Sequence, residues 1–207
     1  LLATTAADGT AQLWDPTTGQ PHGALLTGHT GSVLGVAFSP DGKLLATAGS
    51  DRTVRLWDTA TGTPHGAPLT GHTGTVFAVA FSPDGRLLAT ASADRTARLW
   101  ETATGRQHSA PLTGHTDSVL ALALSPDGHL LATTGGDRTV RFWDAPTGRP
   151  RGEPMPGHTA QVNGLAFSPD GALLATGGAD QTVRFWDVAT GRPHGDPMTG
   201  HTGAVVG

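Results

Sequence analysis

Residues Gly28 to Asp58 read GHTGSVLGVAFSPDGKLLATAGSDRTVRLWD, and this stretch returns, whole or in part, along the entire chain. Gly-His opens it at 28/29, 71/72, 114/115, 157/158 and 200/201. Trp followed by an acid closes its core at 14/15, 57/58, 100/101, 143/144 and 186/187. Both series step by 43 residues without insertion or deletion. A fixed period of this length marks stacked supersecondary units, none of which buries a core alone. Four units are complete: 28–70, 71–113, 114–156 and 157–199. Residues 1–27 match the last part of the unit and residues 200–207 its start; together they lack the counterparts of Val36 through Lys43. The cut falls inside a predicted strand, where domain boundaries are rare, so the expectation is one repeat domain belonging to a longer array.

Within one unit, Val33 to Ser39 is apolar and β-branched and runs into Pro40-Asp41-Gly42, which reads as strand then turn. Leu44 to Gly49 is a second apolar run, stopped by Ser50-Asp51-Arg52, and Thr53 to Trp57 is a third with clear alternation. After Asp58 comes the turn signal Thr61-Gly62, followed by a Pro-spaced remainder fit only for a ragged outer strand. No segment keeps an i, i+3, i+4 apolar pattern over a useful length, so the fold is expected to be all β, in four-stranded antiparallel sheets.

Composition agrees with a folded protein. Hydrophobic residues make up 37%, charged residues 14%, and the net charge is -4, which gives no basic surface suited to general nucleic-acid binding. Thirty Gly and fifteen Pro recur at fixed offsets and are therefore turn residues rather than a sign of disorder. The chain has no Cys, hence no disulfide framework and no thiolate metal site. No apolar run approaches the roughly 20 residues that span a bilayer, so no membrane role is expected, and the location expected is cytoplasmic. Arg far outnumbers Lys, and Ile and Tyr are absent, a bias that suggests GC-rich, bacterial coding.

The unit resembles the WD-repeat family of β-propellers. The likeness rests on GH, then V-x-x-V-x-F-S-P-D-G, LLAT and D-R-T-V-R-L-W-D at the family's separations, and it spans the whole chain, with near-identical blades of a bacterial type. The resemblance implies four-stranded blades set radially about a channel, with the sequence repeat offset from the blade and the outer strand coming from the end of a repeat. It also implies a hydrogen-bonded tetrad in each blade: His29, Thr47, Asp51 and Trp57; His72, Thr90, Asp94 and Trp100; His115, Thr133, Asp137 and Trp143; His158, Thr176, Asp180 and Trp186. Each buried partner so satisfied contributes about 1 kcal/mol net. Thr4, Asp8 and Trp14 lack a His, whereas His201 lacks the other three. Two architectures accommodate these ends: a closed five-bladed ring in which they meet, or an arc of a larger propeller of seven or more blades. The arc is preferred, because the split blade would lack the counterparts of Val36, Ala37 and Phe38.

Chemistry has little foothold in such a pattern. A catalytic His-Asp pair is needed once, whereas this pair recurs with every repeat, so it is read as structural. Asp41, Asp84, Asp127 and Asp170 belong to Pro-Asp-Gly turns, where carboxylates accept local backbone hydrogen bonds. A second series, His22, His65, His108 and His194, lies a blade apart, too far to share an ion at the roughly 2 Å a zinc ligand requires, and is read as exposed imidazoles. No catalytic residue, metal site or cofactor is expected.

Function is then sought where the repeats differ. The loop after Gly-His and the start of the next strand vary through Phe77, Asp117, Gln161 and Asn163, and the neighbouring hairpin turn carries Arg52, Arg95 and Arg138, replaced by Gln181 and Gly9. An arc of guanidinium groups offers planar bidentate donors to an acidic protein or peptide partner; the other reading is that each Arg pairs locally. Lys43, Glu101, His129, Arg151 and Glu153 read as drift on exposed turns. The expected function is a non-enzymatic interaction scaffold or sensor within a larger bacterial signalling protein, whose further partners are propeller blades of the parent chain or of another copy. The alternatives are an enzyme using the central channel and a lectin-like propeller.

Overall fold

A computed structural model describes residues 1–206, which consist of strands and turns with no helix among them. The described residues build five antiparallel sheets in order. The first holds β1 (Leu2–Thr5) and β2 (Ala11–Trp14). The second holds β3 (Val33–Phe38), β4 (Leu44–Gly49) and β5 (Val54–Asp58). The third is β6 (Val76–Phe81), β7 (Leu87–Ser92), β8 (Thr96–Glu101) and β9 (Leu112–Thr113). The fourth is β10 (Val119–Leu124), β11 (Leu130–Gly135), β12 (Thr139–Asp144) and β13 (Arg149–Pro156). The fifth is β14 (Val162–Phe167), β15 (Leu173–Gly178), β16 (Val183–Asp187) and β17 (Arg192–Pro193).

The apolar runs of the sequence become the strands because each is stopped by residues that cannot continue a ladder. In the second, third and fourth sheets the second strand is buried on both faces, which is why LLAT shows no alternation. The Pro-spaced segment is ragged in most sheets, reduced to bridges such as Val54 to Leu69 and Trp57 to Pro64, since Pro brings no amide donor to the ladder. β13 is the exception: it pairs over its length with β12, and a bulge between Val140 and Phe142 takes up the mismatch.

The core lies between sheets, not within them. Ala46, Ala48, Val54, Leu56 and Leu69 of one sheet form a single buried cluster with Val76, Val79, Leu88 and Trp100 of the next. The same arrangement joins Leu99 and Leu112 to Leu131 and Trp143, Phe142 and Met155 to Leu174 and Trp186, and Leu13 and Leu26 to Leu45 and Trp57. Trp57, Trp100, Trp143 and Trp186 therefore each pack into the sheet before their own.

The sheets form an open arc. Val205 donates its amide to the Gly178 carbonyl at 3.0 Å, repeating four units later the bond from the Val33 amide to the Ala6 carbonyl at 3.0 Å. Residues near the C-terminus thus lie on the fifth sheet as the start of a following inner strand would. His201, Thr4 and Asp8 are exposed, and His201 makes no hydrogen bond to either among the described residues. The ends do not close a five-bladed ring.

Candidate functional site

The polar end of each sheet is organised by four side chains. In the second sheet Trp57 Nε1 donates to Thr47 Oγ1 at 2.8 Å, His29 Nε2 lies 2.9 Å from the same hydroxyl, and His29 Nδ1 lies 2.9 Å from Asp51 Oδ2. The corresponding separations are 3.0, 2.8 and 2.8 Å for Trp100, Thr90, His72 and Asp94. They are 2.8, 2.9 and 2.9 Å for Trp143, Thr133, His115 and Asp137, and 2.9, 2.8 and 2.9 Å for Trp186, Thr176, His158 and Asp180. One proton arrangement satisfies all of these contacts. The indole N–H donates to the hydroxyl, the hydroxyl donates to Nε2, and Nδ1–H donates to the carboxylate. At the first sheet Trp14 Nε1 reaches Thr4 Oγ1 at 2.8 Å, but Asp8 binds only Thr10.

The electrostatics fit neutral imidazoles beside ionised carboxylates. Burial pushes His72, His115 and His158 below the ordinary 6.5, against the pull of their carboxylates, and Arg98, Arg141 and Arg184 push the same way. Burial opposes the charge on Asp51, Asp94, Asp137 and Asp180, yet the surrounding hydrogen bonds and imidazoles outweigh it, and Asp94 and Asp180 come down to about 2.

Each of these carboxylates also fixes the loop geometry around it. Asp51 accepts from the Thr30 amide at 3.0 Å and from the Thr53 amide and hydroxyl at 3.0 and 2.9 Å. The loop after Gly-His and the hairpin turn are thereby tied together at one end of the sheet. Between the anchored Asp51 and Thr53 stands Arg52, with φ of 68°. Arg95, Arg138 and Gln181 take φ of 68°, 66° and 67° at the same position, and the first unit has Gly9 there at 88°. The turn requires a left-handed residue, as in three-residue hairpins with a bulge, and a side chain in that region costs about 1–2 kcal/mol.

Arg52, Arg95 and Arg138 are exposed, and none has an ion-pair partner within 4.0 Å among the described residues. They do not pair with the neighbouring tetrad aspartates. Gln181 and Asp117 are exposed at the same end; Phe77 is half-buried. Phe77 and Asn163 occupy the extra position of a bulge in the inner strand, as do Leu34 and Leu120. Asn163 is turned to the C-terminal segment, donating to the Val205 carbonyl at 2.9 Å, and Gln161 donates to Asn163 Oδ1 at 3.0 Å, so these two are engaged with each other.

Two features escaped the sequence reading. Arg55, Arg98, Arg141 and Arg184 stand beside the tetrads with buried Nε atoms that have no partner among the described residues, and Arg55 lies against Gly28. Their signal was the second Arg of D-R-T-V-R-L-W-D. His108 is half-buried, not an exposed imidazole: its Nε2 lies 2.8 Å from the Pro146 carbonyl of the next sheet. His22, His65 and His194 are exposed as expected. Among the described residues no three His, Cys, Asp or Glu side chains gather as a metal site, and no helix is long and apolar enough to cross a membrane.

The WD domain, G-beta repeat family matches residues 20–58, 64–101, 106–144 and 149–187, most of the chain. The chain belongs to the WD40 repeat family. A 43-residue unit cut at Gly-His coincides with one sheet, whereas the family's unit is offset: the match at 20–58 starts in the outer segment of the first sheet, where Pro21 and Leu26 bridge to Trp14 and Ala11, and ends with the three strands of the second. Among curated proteins, Ribosome assembly protein 4 of Chaetomium thermophilum is 57% identical over 42 residues, covering 20% of this chain and 8% of that protein. That similarity is confined to about one WD40 repeat. As a WD40 chain it is of the protein interaction module type.

Proposed function

We propose that the WD40 arc docks an acidic segment of a protein partner across the end of the sheets that carries Arg52, Arg95 and Arg138. The observation that carries this reading is that three guanidinium groups, one per neighbouring sheet, stand exposed and unpaired on left-handed turns. Asp117 and Gln181 lie at the same end, where they vary the charge from blade to blade. In this reading the module is the sensor or scaffold part of a larger cytoplasmic signalling protein of bacterial type, with further blades continuing the arc. The near-identity of the repeats and the excess of Arg over Lys support that origin. The test is fluorescence anisotropy of a labelled oligoglutamate peptide with the full chain. Binding that weakens with salt and is lost in the combined Arg52→Gly, Arg95→Gly, Arg138→Gly variant supports the proposal. Binding unchanged in that variant overturns it.

A further inference from the structure

The opposite end of the strands carries a groove of different character. The third and fourth sheets leave a cavity of about 650 Å³ between their Pro-Asp-Gly turns. Pro83, Leu87 and Pro146 supply apolar surface, and Asp84, Glu101 and Asp127 stand around it. The same groove between the second and third sheets measures about 380 Å³, so the repeat alone does not make the larger one.

What distinguishes the larger groove is a set of departures from the repeat. Glu101 stands where the unit has Asp58, His129 where it has Arg86, and Pro146 where it has Ala103. The longer acid brings Glu101 Oε1 to 3.9 Å from His108 Nδ1, while His108 Nε2 holds the Pro146 carbonyl of the neighbouring sheet. Glu101 and His129, which read along the chain as unrelated drift, therefore line one space.

The charge around that space is acidic. Asp84 Oδ1 accepts from Ser82 Oγ and the Arg86 amide, and Asp127 Oδ1 accepts from Ser125 Oγ and the His129 amide. The second oxygen of Asp127 makes no hydrogen bond among the described residues, and that of Asp84 meets only the exposed Arg86 at 3.8 Å. Three carboxylates thus face one guanidinium and two imidazoles.

We propose that this groove is a second docking site, taking a short extended segment of a protein partner that presents one Lys or Arg beside Pro or aliphatic residues. Apolar flanks cover Pro83, Leu87 and Pro146, the cation meets Glu101, the free oxygen of Asp127 and the Asp84 oxygen that only Arg86 approaches, and His108 closes the outer side. The site is independent of the arginine end: it lies across the length of the strands from it and selects the opposite charge.

The experiment uses a fluorescein-labelled Pro-Leu-Arg-Leu-Pro peptide and its Pro-Leu-Glu-Leu-Pro counterpart with the full chain, read by anisotropy. The Arg peptide is expected to bind and the Glu peptide not to. Glu101→Gln and His129→Arg each weaken binding about threefold, and His129→Glu strengthens it by a similar factor, the size of one exposed ion pair. All three changes are on exposed or half-exposed side chains, so the fold is retained, which circular dichroism checks. Arg95→Glu, at the other end, leaves this binding unchanged. Equal binding of the two peptides, no binding of either, or insensitivity to Glu101→Gln and His129→Glu overturns the proposal. So does competition by arginine amide as effective as the peptide itself, which would make the groove a small-cation site.

Discussion

The Trp57 indole donates to the Thr47 hydroxyl in a place sealed from water, and the same hydroxyl is held by His29. Thr47→Val keeps the shape but leaves the indole N–H and the imidazole nitrogen without partners, which costs about 1–3 kcal/mol. Thr4→Val breaks the matching Trp14 contact where Thr4 is exposed and no His is present. Water replaces that partner, so the cost is expected to be below about 0.5 kcal/mol. Denaturant midpoints of the two variants compare them directly; equal losses would contradict a role for burial.

Stability should fall in acid in two stages. His72, His115 and His158 sit below 6.5 in the fold, so the unfolded chain binds their protons first, and stability declines as the pH drops through 6.5 toward the lower folded values. The carboxylates add a second decline. Asp94 and Asp180, at about 2 against 3.8 when unperturbed, stabilise the fold fully above 3.8 and lose that contribution as the pH falls toward 2. Urea midpoints measured from about pH 8 down to about pH 3 follow both steps. A midpoint that holds or rises on passing below 6.5 would be inconsistent with neutral, buried imidazoles.

Arg95→Gly should leave the fold as stable or raise it by up to about 1 kcal/mol, because glycine relieves the left-handed backbone at φ of 68° while adding entropy to the unfolded chain. The same change removes a charge from the proposed acidic-segment face. Thermal unfolding and oligoglutamate binding, measured on one sample, separate the two effects. A loss of stability above about 1 kcal/mol would show that the side chain supports the turn.

Val79 and Val36 occupy the same position of successive units, yet Val79 is 8% exposed and Val36 is 36% exposed, since the first sheet has no inner strand to cover it. Val79→Ala is expected to cost about 2 kcal/mol and Val36→Ala less than half of that. Comparable costs at the two sites would mean that Val36 is covered in solution, through association of arcs or closure of the ring.

Strands, turns and tetrads were legible because each is decided by residues that recur with the unit: Pro40-Asp41-Gly42 ends a strand wherever it stands, and His29 is always followed at fixed distances by Thr47, Asp51 and Trp57. The backbone of Arg52 was not legible, because arginine has no preference for positive φ; the hint was Gly9 at the matching position. His108 and Glu101 could not be placed either. Their partner, Pro146, belongs to the next unit, and a single repeat says nothing of what two repeats enclose. The regular pairing of β13, with Pro150, Pro154 and Pro156 in its span, has no counterpart in the sequence signal, since prolines at the positions of Pro150 and Pro154 thin out the outer segment elsewhere.

The offset between the family's unit and the sheet bears on how such an array changes length. Because the spacing never varies, any window of one period, wherever it begins, supplies one copy of every strand, turn and tetrad member. A duplication or deletion of one period leaves the neighbours facing surfaces they already fit. The gene can gain or lose a whole blade at any breakpoint, and only the few residues that differ between units record where the copying took place.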